Sequence, residues 1–131
     1  MAGTEDDLIE LLGAALRGRD GLMAAYLFGS RAGGDAHQGS DFDIAVLFRR
    51  PLPLQQQINI ENDLAEILGR PVDLVDLRRA SPFLALDVLH GRRFLELDPV
   101  GADEYELYLL RRAGDLEMLE RERRALFLGA R

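Results

Sequence analysis

The chain has 131 residues, a net charge of −7 at pH 7, no cysteine, two histidines and sixteen basic residues, all of them arginine. The length predicts one domain over residues 1–131, and the acidic balance excludes a broad nucleic-acid surface, since polyanions are bound through summed Lys and Arg contacts. Without lysine or cysteine, the chain has no P-loop lysine, no lysine Schiff base, no thiolate nucleophile and no sulfur-ligated zinc, and two histidines exclude multi-histidine metal sites.

The first half of the chain predicts a helix followed by two strands. Thr4 is placed to cap a helix whose apolar residues recur at helical spacing up to Leu16. The continuous apolar run Leu22–Phe28 predicts a buried strand. Small and polar residues over Gly29–Gly39 predict a loop, and Asp41–Phe48 predicts the second strand.

The second half alternates helices and strands. The first predicted elements are a helix over Leu54–Leu68, ended by Gly69, and a strand over Val72–Leu77. A helix from Ser81-Pro82 to His90 and a short strand over Phe94–Leu97 follow. Asp98-Pro99 then opens a long helical region, with Gly114 as a candidate interruption. This order predicts an α/β or α+β domain with a small mixed sheet flanked by helices.

Neither a membrane span nor a signal peptide is expected. No apolar run approaches the roughly 18–20 residues of a transmembrane helix. The N-terminal region is acidic and lacks a basic stretch before an apolar one. We therefore expect a cytoplasmic protein.

Two aspartates one residue apart open the second predicted strand. Side chains on a strand alternate faces, so Asp41 and Asp43 point to the same side, opposite Phe42 and Ile44. Two carboxylates about 7 Å apart in a poorly hydrated cleft repel each other, and a divalent cation relieves that repulsion. Mg²⁺ uses one or two carboxylates and takes further ligands from water and substrate phosphates, so the pair predicts a metal site.

A glycine and a serine follow the first predicted strand. Gly29 permits a tight turn and a close approach of phosphate to the backbone. Ser30 supplies a hydroxyl at a point where a helix N-terminus would direct amides at an anion. Together with the aspartate pair, this segment predicts a nucleoside triphosphate site.

The third predicted strand offers two further carboxylates. Asp73 and Asp76 are three residues apart, so a regular strand places them on opposite faces and only one can join the pair. We favour Asp73 because a carboxylate within the flanking apolar residues costs more free energy unless it has a role. Asp76, near the strand end, stays open as the alternative.

The run Gly29-Ser30-Arg31-Ala32, followed by Ser40-Asp41-Phe42-Asp43, resembles the GS…SDxD signature of the DNA polymerase beta-like nucleotidyltransferase superfamily. Within that superfamily, the chain looks most like the minimal nucleotidyltransferase (MNT, MntA-type antitoxin) branch. The signature covers about a fifth of the chain, and Val72–Val75 is similar to the family's third-carboxylate strand.

The resemblance implies a function and a set of site residues. It implies transfer of a nucleoside monophosphate from ATP with two Mg²⁺ ions, and a helical HEPN partner, a toxin whose tyrosine is adenylylated. The carried-over residues are the metal ligands Asp41 and Asp43, the third carboxylate and expected base Asp73, which we also expect to bind metal, and the phosphate-binding positions Gly29 and Ser30. Arg31 and Ser40 are further expected nucleotide- and phosphate-binding positions. Arginine at position 31 suits the leaving phosphates geometrically.

The acceptor of the transferred group stays open from sequence alone. A partner protein that presents a hydroxyl is favoured, because little chain remains after the core to bind a small acceptor. Self-modification of Tyr26, Tyr105 or Tyr108 is a weaker alternative. Two other classes of function stay open: a catalytically silent antitoxin that neutralises its partner by complex formation, and a small-molecule (aminoglycoside-like) nucleotidyltransferase. An oligomer is also compatible with the sequence. His90 is interpreted as an ordinary residue of a last helical turn.

Overall fold

The computed structural model describes residues 4–29 and 42–127. In chain order the elements are α1 (Glu5–Leu16), β1 (Leu22–Phe28), β2 (Phe42–Phe48), α2 (Leu54–Leu68), β3 (Val72–Asp76), a 3-10 turn (Leu77–Arg79), α3 (Pro82–Leu89), β4 (Arg92–Glu96) and α4 (Pro99–Phe127). The predicted fold class, a small mixed sheet flanked by helices, is confirmed. The Thr4 hydroxyl accepts a hydrogen bond from the Asp7 amide at 3.1 Å, so it caps α1 as predicted.

The four strands form one sheet in the order β3-β2-β1-β4. β1 lies antiparallel to both β2 and β4, whereas β2 and β3 run parallel. The end of β1 therefore meets the beginnings of the other three strands at one edge of the sheet.

The sheet is covered on both faces. On one face, side chains of α1 and α2, including Leu12, Leu16 and Leu64, pack against Ile44. On the other face, Val88 of α3 and Ala102 of α4 pack in a second core that contains Tyr26, Phe28 and Leu47 of β1 and β2. Because both faces are covered, β1 is buried over its whole length, which explains its uninterrupted apolar sequence.

The end of β3 differs from the sequence prediction. Leu77 was expected to close the strand, but the strand ends at Asp76 and Leu77 begins a 3-10 turn. The cause is local, since the Asp76 carboxylate accepts a hydrogen bond from the Arg78 amide at 3.1 Å and so caps the turn.

The boundaries of the last elements also differ. β4 begins at Arg92 rather than Phe94 and ends at Glu96 rather than Leu97, because its bounds follow the pairing with β1 and not only the apolar residues. Gly114 does not interrupt α4, since the helix is continuous from Pro99 to Phe127. Gly114 costs a helix roughly 1 kcal/mol relative to alanine, which is too little to break it.

Within the described ranges, no helix is both long enough and apolar enough to cross a membrane.

Candidate functional site

The candidate site lies at the edge of the sheet where β1 ends and β2 and β3 begin. Phe28, the last residue of β1, pairs with Asp43 of β2, and Asp43 pairs with Asp73 of β3. Three predicted site residues, Gly29, Asp43 and Asp73, therefore come together from three separate parts of the chain.

Asp43 and Asp73 are direct partners in the parallel register of β2 and β3. Partners in neighbouring strands lie about 4.8 Å apart and point to the same face of the sheet. The residues flanking Asp43, Phe42 and Ile44, are buried in the core on the opposite face, as the alternation predicted. The Asp73 side chain is exposed, so this edge holds two carboxylates side by side with access to solvent.

Gly29 is required by its backbone conformation and by its neighbour. Its φ of 77° lies in the left-handed region of backbone conformation, which residues other than glycine rarely adopt. A Cβ built on Gly29 would collide with the carboxylate of Asp43, lying 3.0 Å from its Cγ as well as against Oδ2. The backbone at position 29 thus packs directly against the Asp43 carboxylate, which brings the predicted phosphate-binding segment to the carboxylate pair.

Asp76 is buried, and its carboxylate stabilises the fold rather than the cleft. Its side chain is only 3% exposed, and its carboxylate accepts a hydrogen bond from the Leu52 amide at 2.7 Å. It also pairs with Arg79 at 3.6 Å and caps the following turn. Asp73 and Asp76 lie on opposite faces of β3, as expected, and only Asp73 lies beside Asp43.

A cleft of about 600 Å³ opens over the carboxylate pair. It is lined by Phe28, Gly29, Asp43, Asp73 and Val75 from the sheet edge, and by Leu84, Asp87, His90 and Gly91 from α3 and the residues after it. The interpretation of His90 as an ordinary helix-end residue was incomplete, because His90 is the C-cap of α3 and also lines the cleft. Asp87 was missed; its spacing of three from His90, which puts both on one helix face, was the available signal.

Four predicted site residues, Ser30, Arg31, Ser40 and Asp41, lie outside the described residues. Their assigned roles in phosphate and metal binding therefore stay predictions.

The donor atoms at this edge suit a hard cation. Asp43 and Asp73 present carboxylate oxygens, the ligands that Mg²⁺ prefers. Among residues 4–29 and 42–127, no group of three or more His, Asp or Glu side chains could hold a metal ion. The described residues thus fit part of a magnesium site, and the remaining predicted ligand, Asp41, lies outside them.

The tyrosines offer no acceptor to this cleft. Tyr26 is 2% exposed, and its hydroxyl donates a hydrogen bond to Glu106 at 2.6 Å, so Tyr26 is wrong as a candidate for self-modification. Burial, followed by the hydrogen bond to Glu106, raises the pKa of the Tyr26 phenol well above its usual value. Tyr105 and Tyr108 contribute to a different cleft, together with Arg49 and Arg78.

Comparisons of the sequence with known proteins found a family and a relative. A family model described as polymerase beta, nucleotidyltransferase matches residues 10–99. The protein adenylyltransferase MntA of Shewanella oneidensis is 36% identical over 105 residues, which cover 80% of this chain and 73% of that protein.

Solved structures resemble the whole fold. A crystal structure of a toxin-antitoxin with AMP-PNP superposes with a TM-score of 0.74 at 31% identity, over 91% of this chain and 94% of the other. A structure of tri-AMPylated Shewanella oneidensis HEPN toxin in complex with MNT antitoxin gives a TM-score of 0.63 at 30% identity, over 94% and 92% of the two chains.

Proposed function

This chain belongs to the polymerase beta nucleotidyltransferase family, and from that premise we propose that it transfers AMP from ATP to a hydroxyl of a HEPN-type partner and so acts as an antitoxin. The observation that carries the proposal is the pairing of Asp43 with Asp73 beside Gly29, at the mouth of a cleft of about 600 Å³. The likeness to the MntA adenylyltransferase and to structures of toxin-antitoxin complexes supports the nature of donor and acceptor. A reaction that consumes ATP also fits the cytoplasmic location expected from the sequence.

Asp43 and Asp73, joined by Asp41, would hold the divalent cations, for which we propose two Mg²⁺ ions. A cation bound there neutralises charge on the phosphates of ATP. Gly29 lets the backbone turn tightly against the Asp43 carboxylate, and Ser30, Arg31 and Ser40 bind the phosphates.

The transfer exchanges one bond to phosphorus for another. The acceptor oxygen forms a bond to the α-phosphorus of ATP while the bond from that phosphorus to the bridging oxygen breaks, and pyrophosphate leaves. Asp73 accepts the proton of the acceptor hydroxyl, a role that its exposed side chain permits.

Transfer to a partner protein is favoured over transfer within the chain. The buried Tyr26 hydroxyl is held by Glu106, and Tyr105 and Tyr108 line another cleft. Asp73 is exposed, so a hydroxyl presented by a second protein has access to it.

The proposal is tested by incubating the protein with α-labelled ATP, Mg²⁺ and a purified HEPN-type partner. We expect label on the partner with the wild type, and a loss of at least about a hundredfold with Asp43→Asn, because the pair then loses one of its charges. The matched control is Asp63→Asn on α2, whose exposed carboxylate pairs with Arg19 and lies behind the opposite face of the sheet.

Other outcomes assign other functions. Neutralisation of the partner's toxicity by wild type and Asp43→Asn alike, with no label transferred, would replace the enzyme by an antitoxin that works through complex formation. Label on a small acceptor in the absence of any partner would indicate a small-molecule nucleotidyltransferase.

A further inference from the structure

The α3 side of the cleft carries two polar side chains to which the chemistry above gives no role. Asp87 and His90 line the same cleft as Asp43 and Asp73, and both are exposed. Within the described part of the chain, neither side chain takes part in a hydrogen bond or an ion pair. Both are therefore available to a molecule in the cleft.

The position of Asp87 is electrostatically unfavourable for the free protein. It lies in the last turn of α3, where the negative end of the helix dipole disfavours a carboxylate. It also adds a third negative charge to a cleft that already contains Asp43 and Asp73. Among residues 4–29 and 42–127 no cationic side chain pairs with Asp87, so an acid placed at such a cost indicates a ligand that uses it.

α3 is fixed firmly relative to the end of β1. Ala85 and Val88 are buried against the sheet, so the helix cannot shift without exposing them. A Cβ at Gly91 would collide with the Leu27 carbonyl and come within 2.8 Å of the Phe28 Cβ, so the chain there packs backbone to backbone. Asp87 and His90 are thereby held at a defined position in the cleft relative to the end of β1, as a specificity-determining group needs.

The surroundings restrict what Asp87 can bind. It does not form with Asp43 and Asp73 a group that could hold a metal ion, as judged on the described ranges. A carboxylate repels phosphate, so the triphosphate is excluded as its partner. Among the parts of a nucleotide, what remains is a neutral group with hydrogen-bond donors. The neighbouring Val75 and Leu84 supply the apolar surface that the uncharged part of a nucleotide requires.

We propose that Asp87 and His90 bind the sugar hydroxyls of the nucleoside triphosphate and make the cleft select ribonucleotides over deoxyribonucleotides. A carboxylate accepts hydrogen bonds from vicinal hydroxyls, and an imidazole both donates and accepts. Asp87 contributes most of the selection, because a hydrogen bond to a charged group is stronger than one between neutral groups. The inference rests on the proposed function only in taking a nucleoside triphosphate as the ligand.

The test is a binding measurement without any acceptor. Calorimetric titration of the wild type in Mg²⁺ should give an affinity for ATP at least about tenfold above those for 2′-deoxyATP or 3′-deoxyATP. Asp87→Ala should bring this ratio of affinities close to one. It should weaken the binding of ATP and leave nearly unchanged the binding of the analogue that lacks the hydroxyl bound by Asp87. His90→Ala should lower the ratio less. Asp63→Ala, the same substitution on the far face, should keep the wild-type ratio, and circular dichroism would verify that each variant is folded.

The outcomes separate this inference from the proposed function. A folded Asp87→Ala that keeps the wild-type ratio, or that weakens ATP and both deoxy analogues equally, would overturn the sugar assignment. If Asp87→Ala keeps the ratio of the affinities for ATP and the deoxy analogues but has a raised KM for the acceptor protein, Asp87 recognises the acceptor. That result would also overturn the sugar assignment. Ribose selection by a wild type that transfers no label would uphold the inference while the transferase proposal fails, and a wild type that binds no ATP would overturn both.

Discussion

At the scale of single residues, the site depends on the contact between a glycine and a carboxylate. Gly29 has a φ of 77°, and its missing side chain leaves the space that the Asp43 carboxylate fills. Two requirements, backbone conformation and close contact, therefore converge on one position.

Gly29→Ala should lose stability and nucleotide binding together. Left-handed backbone costs alanine about 1–2 kcal/mol relative to glycine, and the new Cβ must displace the Asp43 carboxylate. The control is Gly69→Ala, where φ is 67° but nothing lies within 4 Å of the added Cβ. Urea unfolding should show a loss in both variants, while calorimetry with ATP should show weaker binding in Gly29→Ala alone. Equal ATP affinities in the two variants would contradict the contact argument.

The two aspartates of β3 should separate stability from activity. Asp73 is exposed, so Asp73→Asn should change the free energy of unfolding by less than about 0.5 kcal/mol but abolish label transfer. Asp76 is buried and accepts hydrogen bonds from the Leu52 and Arg78 amides, so Asp76→Ala should cost about 3 kcal/mol. Denaturant titration and the labelled-ATP assay measure both properties. Wild-type levels of label transfer by Asp73→Asn would contradict the proposed role of Asp73 as the base.

At the scale of elements, a polar network joins α4 to the sheet. Tyr26 of β1 donates to Glu106 of α4, and Arg93 of β4 pairs with the same Glu106 at 2.7 Å and with Asp103 at 2.9 Å. A buried phenol and a carboxylate, each hydrogen-bonded, thus fix the register of α4 against β1 and β4.

This network predicts an alkaline loss of stability. The pKa of Tyr26 is raised in the folded protein, so above about pH 10 the unfolded chain loses a proton that the folded chain retains. Unfolding then releases a proton, and the contribution of Tyr26 to stability, complete below about pH 10, falls as the pH rises.

Tyr26→Phe should cost about 1 kcal/mol at pH 8, because it removes the hydrogen bond to Glu106, and should lose less stability than the wild type between pH 9.5 and 11. Urea midpoints across that range measure the effect. Tyr108→Phe, at a half-exposed position, should parallel the wild type. An alkaline slope in Tyr26→Phe as steep as that of the wild type would refute the assignment.

At the scale of the whole molecule, charge limits how the nucleotide can bind. The chain carries a net charge of −7, and its cleft places Asp43, Asp73 and Asp87 at the point where a triphosphate would arrive. A polyanionic ligand and an acidic protein repel each other unless a cation lies between them.

Removal of Mg²⁺ by EDTA should therefore weaken ATP binding by roughly tenfold or more. Calorimetry in the presence and absence of Mg²⁺ measures the change. In Asp43→Asn the dependence on Mg²⁺ should shrink, because one proposed ligand has become neutral. Unchanged ATP affinity in EDTA would contradict the proposed metal requirement.

The sequence by itself determined the local elements, the fold class and the family. Apolar periodicity and capping residues are local signals, and they gave β1 and α2 with the bounds that the structure has. The GS…SDxD run likewise lies within one short segment, which is why the resemblance could be read directly. The single domain over residues 1–131 stays a prediction.

Tertiary structure alone decided which carboxylate joins the site and what faces it. The parallel register of β2 with β3 places Asp73 beside Asp43, while the hydrogen bond from Leu52 explains the burial of Asp76. The packing of Gly91 against β1 brings Asp87 and His90 over the cleft. These relations join residues far apart in the chain, and they are set by strand register and core packing, which no local pattern encodes.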